Sequence, residues 1–343
     1  MSTVAGPYSD GRSRRGAGAW FKGALVLSMM GALGWLGIVA MQYLQTGKPI
    51  ADIEAVPRPV ARLVQEPPQF SGSIWNVARP LGVAVGPDGT IYVTESAGER
   101  MVRAFNADGT LKAAFAPPGS EQLSRNPTYV AVSPSGDVYV SDLMRRAIFV
   151  FSARGEPRGE LAAPVAEGWI PVALAFDRAG YLYVTDVTPS LHRVLVLDGA
   201  GALVRQFGTE GQDRGQFSFP NGIAADSKGN IFVADSGNGR VQAFDKNGTF
   251  LFAIGRGTAK GDLAMPRGIV IDEGRKELLV VDTTDQAVNV YDISNAAPKF
   301  LYALGGDGTM GSAFRFPNGI ALDGKGHIFV TDRENHRVAA WRY

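Results

Sequence analysis

Three side chains able to hold an anion occupy one place in a recurring phrase. They are Asn221 in FPNGIAAD, Arg267 in MPRGIVID and Asn318 in FPNGIALD, each directly after a proline. A guanidinium beside two amides can take a carboxylate by paired hydrogen bonds. Thr128 and Tyr129 stand at the corresponding point of the related phrase NPTYVAV and are expected close by. The alternative for these residues is that they cap strands or hold ordered water at a polar mouth.

A second set is acidic. Glu95, Asp142, Asp186, Asp235, Asp282 and Asp332 each close one copy of the phrase. A ring of carboxylates invites a divalent metal, but a role repeated in every copy cannot mark one unique site. Asp235 with Asn238 and Arg240, and Asp332 with Asn335 and Arg337, can instead satisfy a loop locally. His192, His327 and His336 all fall away from the residue after proline, which argues against a three-histidine zinc site. Cysteine is absent, which excludes disulfides, thiolate zinc and iron–sulfur clusters. No GxSxG, HExxH or GxxxxGK[ST] run is present. No catalytic residue, metal or cofactor is therefore predicted.

Charge narrows the partners further. There are 34 Lys and Arg against 33 Asp and Glu, a net of +1. Five of the basic residues and one of the acidic ones precede residue 49, which leaves 29 against 32 in the remainder. A weakly acidic body offers no field for a phosphate backbone, so nucleic acid is not an expected partner.

The elements that position these residues are repeats. Copies of the phrase begin at Pro80, Pro127, Pro171, Pro220, Pro266 and Pro317, about every 47 residues. Each reads as strand, glycine turn, strand, polar loop, strand, second turn and a fourth strand. Four strands in each of six copies make a β-propeller, in which both faces of a blade are buried against its neighbours. The first strand alternates small residues (Gly82, Ala84; Gly222, Ala224; Gly319, Ala321) with bulky ones (Val83, Val85; Ile269, Ile271; Ile320, Leu322), so adjacent blades can interdigitate. The last copy ends at its third strand. Counting back from Pro80 by the spacing of the other copies assigns the missing fourth strand to Val60–Glu66.

Residues 23–41 carry no charge and are long enough to span a hydrocarbon core as a helix. Trp20, Phe21 and Tyr43 flank this run, and Arg12, Arg14, Arg15 and Lys22 precede it, which predicts a cytoplasmic N-terminus.

The repeats resemble the NHL-repeat family, most closely from PNGI at 220–223 through ADSGNGRVQAFD at 234–245. The resemblance covers about 285 of the 343 residues, with copies four and six the strongest; copies two, three and five lack the Asp-x-x-Asn-x-Arg run. It implies a six-bladed propeller and a family that contains binding platforms, sensors and some enzymes. Gluconolactonase-like propellers use an Asn from a PNG run, as Asn221 is, but Arg267 stands where the next blade should offer an acid. Peptidyl-hydroxyglycine lyases place zinc histidines near these positions, where this chain has none.

The expected fold is thus all-β, a six-bladed β-propeller of four-stranded blades preceded by one N-terminal transmembrane helix. Residues 1–19 form a basic cytoplasmic tail, 20–44 a transmembrane signal-anchor, 45–58 a linker and 59–343 the propeller. The expected function is an outward-facing platform, scaffold or sensor, on the periplasmic or extracellular side. Its predicted site is Asn221, Arg267, Asn318, Thr128 and Tyr129, taking a protein, a peptide or a small anionic ligand. The alternative is a propeller enzyme, lactonase- or hydrolase-like or peptidyl-hydroxyglycine-lyase-like, with a non-standard site.

Overall fold

Chain reversal within each repeat depends on its glycine. Gly89, Gly136, Gly180, Gly229 and Gly326 have φ between 82° and 96°, a left-handed conformation that costs glycine nothing sterically. In the fifth copy Lys276, at φ 58°, takes the left-handed position instead. The computed structural model describes residues 66–118, 121, 124–255, 260–295 and 297–343.

Each of the first five repeats forms one antiparallel four-stranded blade whose strands pair in sequence order, and the sixth supplies three strands of the last blade. Innermost strands run Pro80–Val85, Pro127–Val132, Pro171–Phe176, Pro220–Ala225, Pro266–Asp272 and Pro317–Leu322, defining blades 1 to 6. The blades bury six apolar clusters between successive neighbours. One example joins blades 5 and 6 through Leu279, Val281, Val288, Val330 and Trp341.

Hydroxyl groups stitch the innermost strands together. Thr94 Oγ1 accepts from Gly82 N and donates to Thr128 O on the next blade, both at 2.8 Å. Ser141 Oγ donates to Val172 O at 2.6 Å, and Thr331 Oγ1 to Leu81 O at 2.8 Å. In blades 4 and 5 the hydroxyl moves to Ser236 and Thr283, which donate to Pro266 O and Pro317 O. These bonds require close backbone approach. A Cβ on Gly222 would lie 1.9 Å from Arg267 O, and one on Gly319 2.5 Å from Leu81 O.

The acidic column is structural. Asp142, Asp186, Asp235, Asp282, Asp332 and Glu95 are fully buried. Each accepts from a backbone N–H just ahead of its own blade: Asn126, Ile170, Ser218, Ala264, Arg315 and Ala78, at 2.6–2.9 Å. Arginines complete four of these sites: Arg103 with Glu95, Arg193 with Asp186, Arg240 with Asp235 and Arg337 with Asp332. Glu95 keeps the column's role with a longer side chain.

Blade 6 closes the ring with a strand from the front of the propeller, but not the one counted from the sequence. Gln69–Trp75 pairs antiparallel with Arg337–Arg342, in place of Val60–Glu66. Long loops separate the outer strand of each other blade from the next proline, whereas only residues 76–79 do so here. That short connection shifts the strand toward Pro80. Residues 1–65, with the predicted membrane span and linker, lie outside the described residues. Among the described residues no helix is long and apolar enough to cross a membrane.

Candidate binding site at the channel mouth

The innermost strands begin at their prolines, so the residues on either side of each proline surround one end of the central axis. Tyr129 departs from the other blades at this end. It occupies the column filled elsewhere by Gly82, Ala173, Gly222, Gly268 and Gly319. Its side chain, 8% exposed, reaches from blade 2 to blade 6, where its hydroxyl accepts from Asn318 Nδ2 at 3.2 Å. The same amide donates to Leu81 O at 3.0 Å on blade 1. Burial raises the Tyr129 phenol above its ordinary value, against an opposing influence from the nearby Arg267 charge. The hydroxyl therefore stays protonated, and its bond to Asn318 links blades 2 and 6 across blade 1.

Arg267 lies close to Tyr129 and Asn318. Its guanidinium donates to Asn318 Oδ1 at 3.3 Å and to Met265 Sδ at 3.8 Å. Asn318 and Arg267 are thus brought together, with Tyr129 beside them. Asn221 is not joined to them; its amide turns back to Phe219 O at 3.0 Å. Thr128 is buried and donates to Asn126 O at 3.0 Å. Of the five side chains singled out from the sequence, Arg267 and Asn221 stand half-buried at the surface of the mouth, while Asn318, Tyr129 and Thr128 form the floor.

The residues preceding the prolines add what the phrase itself does not announce. Phe219, Met265 and Phe316 are 58%, 38% and 49% exposed, on three consecutive blades. Phe219 and Phe316, like Arg79 ahead of blade 1, have left-handed φ of 48°, 54° and 48°. That region costs a non-glycine residue about 1–2 kcal/mol. Each is held there by a side chain from the preceding blade's loop. His192 Nδ1 accepts from Phe219 N at 3.5 Å, His336 Nδ1 from Arg79 N at 3.3 Å and Gln286 Oε1 from Phe316 N at 2.6 Å. The His192 ring also packs on Phe219, 4.8 Å between centroids. Two of the three histidines are therefore braces for strained residues at the mouth.

The third, His327, lies on the opposite face and bonds Asp323 through Nδ1 at 2.6 Å. It borders a cavity of about 400 Å³ between blades 6 and 1, where Ile74, Val85, Ile91 and Phe329 also line the wall. Among the described residues, no group of three or more histidine, aspartate or glutamate side chains could hold a metal. At the mouth the donors are guanidinium and amide groups, a set suited to an anion and not to a cation.

Comparison with known proteins agrees with this architecture. A family model for the NHL repeat matches residues 217–244 and 314–341, the fourth and sixth copies. The chain is similar to Protein brain tumor of Drosophila melanogaster, 30% identical over 134 residues, which cover 39% of this chain and 12% of that protein. It is also similar to peptidyl-glycine alpha-amidating monooxygenase A of Xenopus laevis, 30% identical over 217 residues, covering 50% of this chain and 22% of that protein. In both cases the match spans less than a quarter of the relative's length. Virginiamycin B lyase from Staphylococcus aureus superposes with a TM-score of 0.57 at 15% identity, covering 81% of this chain and 99% of that one. At that identity the likeness shows the fold alone. The repeats, the blade count and the strand order converge: the chain carries NHL repeats at 217–244 and 314–341 and folds as a six-bladed β-propeller of four-stranded blades.

Proposed function

We propose that the protein is a binding platform whose working surface is the channel mouth of blades 4, 5 and 6, and that its ligand is another protein. The observation that supports this reading is the exposure of Phe219, Met265 and Phe316 around Arg267. Exposed aromatic side chains beside an arginine are the composition of interface hot spots. Two of these aromatics are also held in an unfavourable backbone conformation that the fold stabilises from below, which suits a surface shaped for recognition.

In this reading residues 20–44 hold the propeller at a membrane and the mouth is displayed on the outer side. The uncharged run at 23–41 and the basic residues ahead of it support that part of the proposal.

The test is a comparison of the wild-type chain with Phe219→Ser/Phe316→Ser. Proteins retained by the wild type and lost by the double variant are purified and titrated against both. Binding weakened about tenfold or more, with an unchanged thermal midpoint, is the expected result. Equal affinity of the two chains for every retained protein would overturn the reading.

A further inference from the structure

Two arginines share one carboxylate beside the mouth, and a third arginine stands close to one of them. Arg79, ahead of blade 1, donates to Glu334, and Arg333 approaches the same carboxylate oxygen at 3.6 Å. Arg267 completes the group from blade 5 and makes no ion pair among the described residues. The Nε atoms of Arg79, Arg267 and Arg333 are all buried without a hydrogen-bond partner. Burial together with repulsion from Arg79 and Arg267 lowers the Arg333 guanidinium below the ordinary arginine value, with Glu334 opposing the shift. Three positive charges therefore stand close to one negative charge, which pairs with Arg79 and Arg333 and leaves Arg267 without an ion pair among the described residues. The side chains of Arg79 and Arg333 are 39% and 36% exposed, so the set is reachable from solvent.

Glu334 shows which anion the set accepts. It is a side-chain carboxylate, and it already bridges two of the three arginines. The exposed apolar side chains of Met265, in contact with Arg267, and Phe316, whose carbonyl accepts from Arg333 N, flank the group, and Asp282, the carboxylate beside Met265, is fully buried and bonded to backbone N–H groups. The overall charge balance argues against a phosphate backbone as the source of the anion.

We propose that Arg267, with Arg333 and Arg79, is an acceptor for an acidic side chain of the protein partner, flanked by an apolar residue that packs on Phe316 and Met265. The partner's carboxylate takes the place beside Arg267 that Glu334 fills beside Arg79. This rests on the mouth being the protein-binding face and specifies the chemistry that face selects.

The test uses the full chain and two acetylated, amidated heptapeptides, Gly-Ser-Phe-Glu-Leu-Ser-Gly and the same sequence with Gln for Glu, titrated by calorimetry. Inorganic phosphate serves as a third probe. The Glu peptide is expected to bind at least about tenfold more tightly than the Gln peptide. Arg267→Gln should abolish that difference, Arg267→Lys should retain part of it, and Lys325→Gln on the opposite face should leave it intact. Thermal midpoints of all variants confirm folding. Equal binding of the two peptides, binding of neither, or phosphate binding more tightly than the Glu peptide would overturn the proposal. The reading of the mouth as a protein-binding face fails separately, if Phe219→Ser/Phe316→Ser leaves protein capture unchanged.

Discussion

The residues that could be read for chemistry divide into those that hold the ring and those that face outward. Arg337 belongs to the first group. It is 1% exposed, bonds Asp332 at 2.8 Å and lies over the Trp75 ring at 5.4 Å, so it ties the closing strand to the acidic column. Arg337→Ala would leave the buried Asp332 carboxylate without its cation. The expected loss is about 3–5 kcal/mol of stability, measured by denaturant unfolding; a loss below about 1 kcal/mol would show that Asn335 and the backbone suffice. Gly222 acts on both groups. A methyl group there meets Arg267 O at 1.9 Å, so Gly222→Ala must push blade 5 outward. A cost of about 1–3 kcal/mol is expected, together with weaker binding at the mouth, because the displaced carbonyl belongs to Arg267. Unchanged stability and binding would mean that the strands separate without consequence.

At the scale of elements, regularity decided what could be read in advance. The proline phrase located every innermost strand because its small and bulky positions alternate in most copies, and the acidic column was recognisable as structural because it repeats. The closing strand was misplaced because it breaks the spacing on which the count relied, and QFSGSIW lacks a strong alternation of its own. Arg79 and Arg333 were missed for a different reason. Arg79 and Glu334 stand 255 residues apart and meet only because the ring closes, so no local pattern announces them. The one available signal was that Arg333 replaces the small hydroxyl residue found after the acid in Ser96, Ser236 and Thr283. Tyr129 was expected near the mouth, and its being the one bulky residue in a column of glycine and alanine is the signal that it reaches Asn318 on another blade. The observed closure gives a sharp expectation. Removing residues 1–66 should leave a cooperatively unfolding propeller, whereas removing residues 1–76 should bare the Arg337–Arg342 edge and cause aggregation. Light scattering and thermal unfolding of the two chains check this; equal solubility would contradict the assigned strand.

At the scale of the whole molecule, the blades share a dependence on neutral buried phenols. Burial, reinforced by Asp177, pushes Tyr183 up to about 12, and burial with Glu277 pushes Tyr302 up to about 12. A folded-state value above the ordinary 10 favours the protonated form. The resulting stabilisation is complete below about pH 10 and is lost as pH rises through about 12. Unfolding followed by circular dichroism should accompany phenolate formation in that window, and Tyr183→Phe should weaken the dependence. Phenolate formation near pH 10 without loss of structure would contradict it. The central claim concerns which surface of this ring works. Photocrosslinking residues introduced singly at Phe219, Met265 and Phe316 on the mouth, at Leu251 and Leu301 on the outer strands, and at Lys325 on the opposite face would map it in cells. Protein adducts are expected from the three mouth positions and not from the other three. Adducts concentrated at Leu251, Leu301 or Lys325, with none at the mouth, would contradict the account.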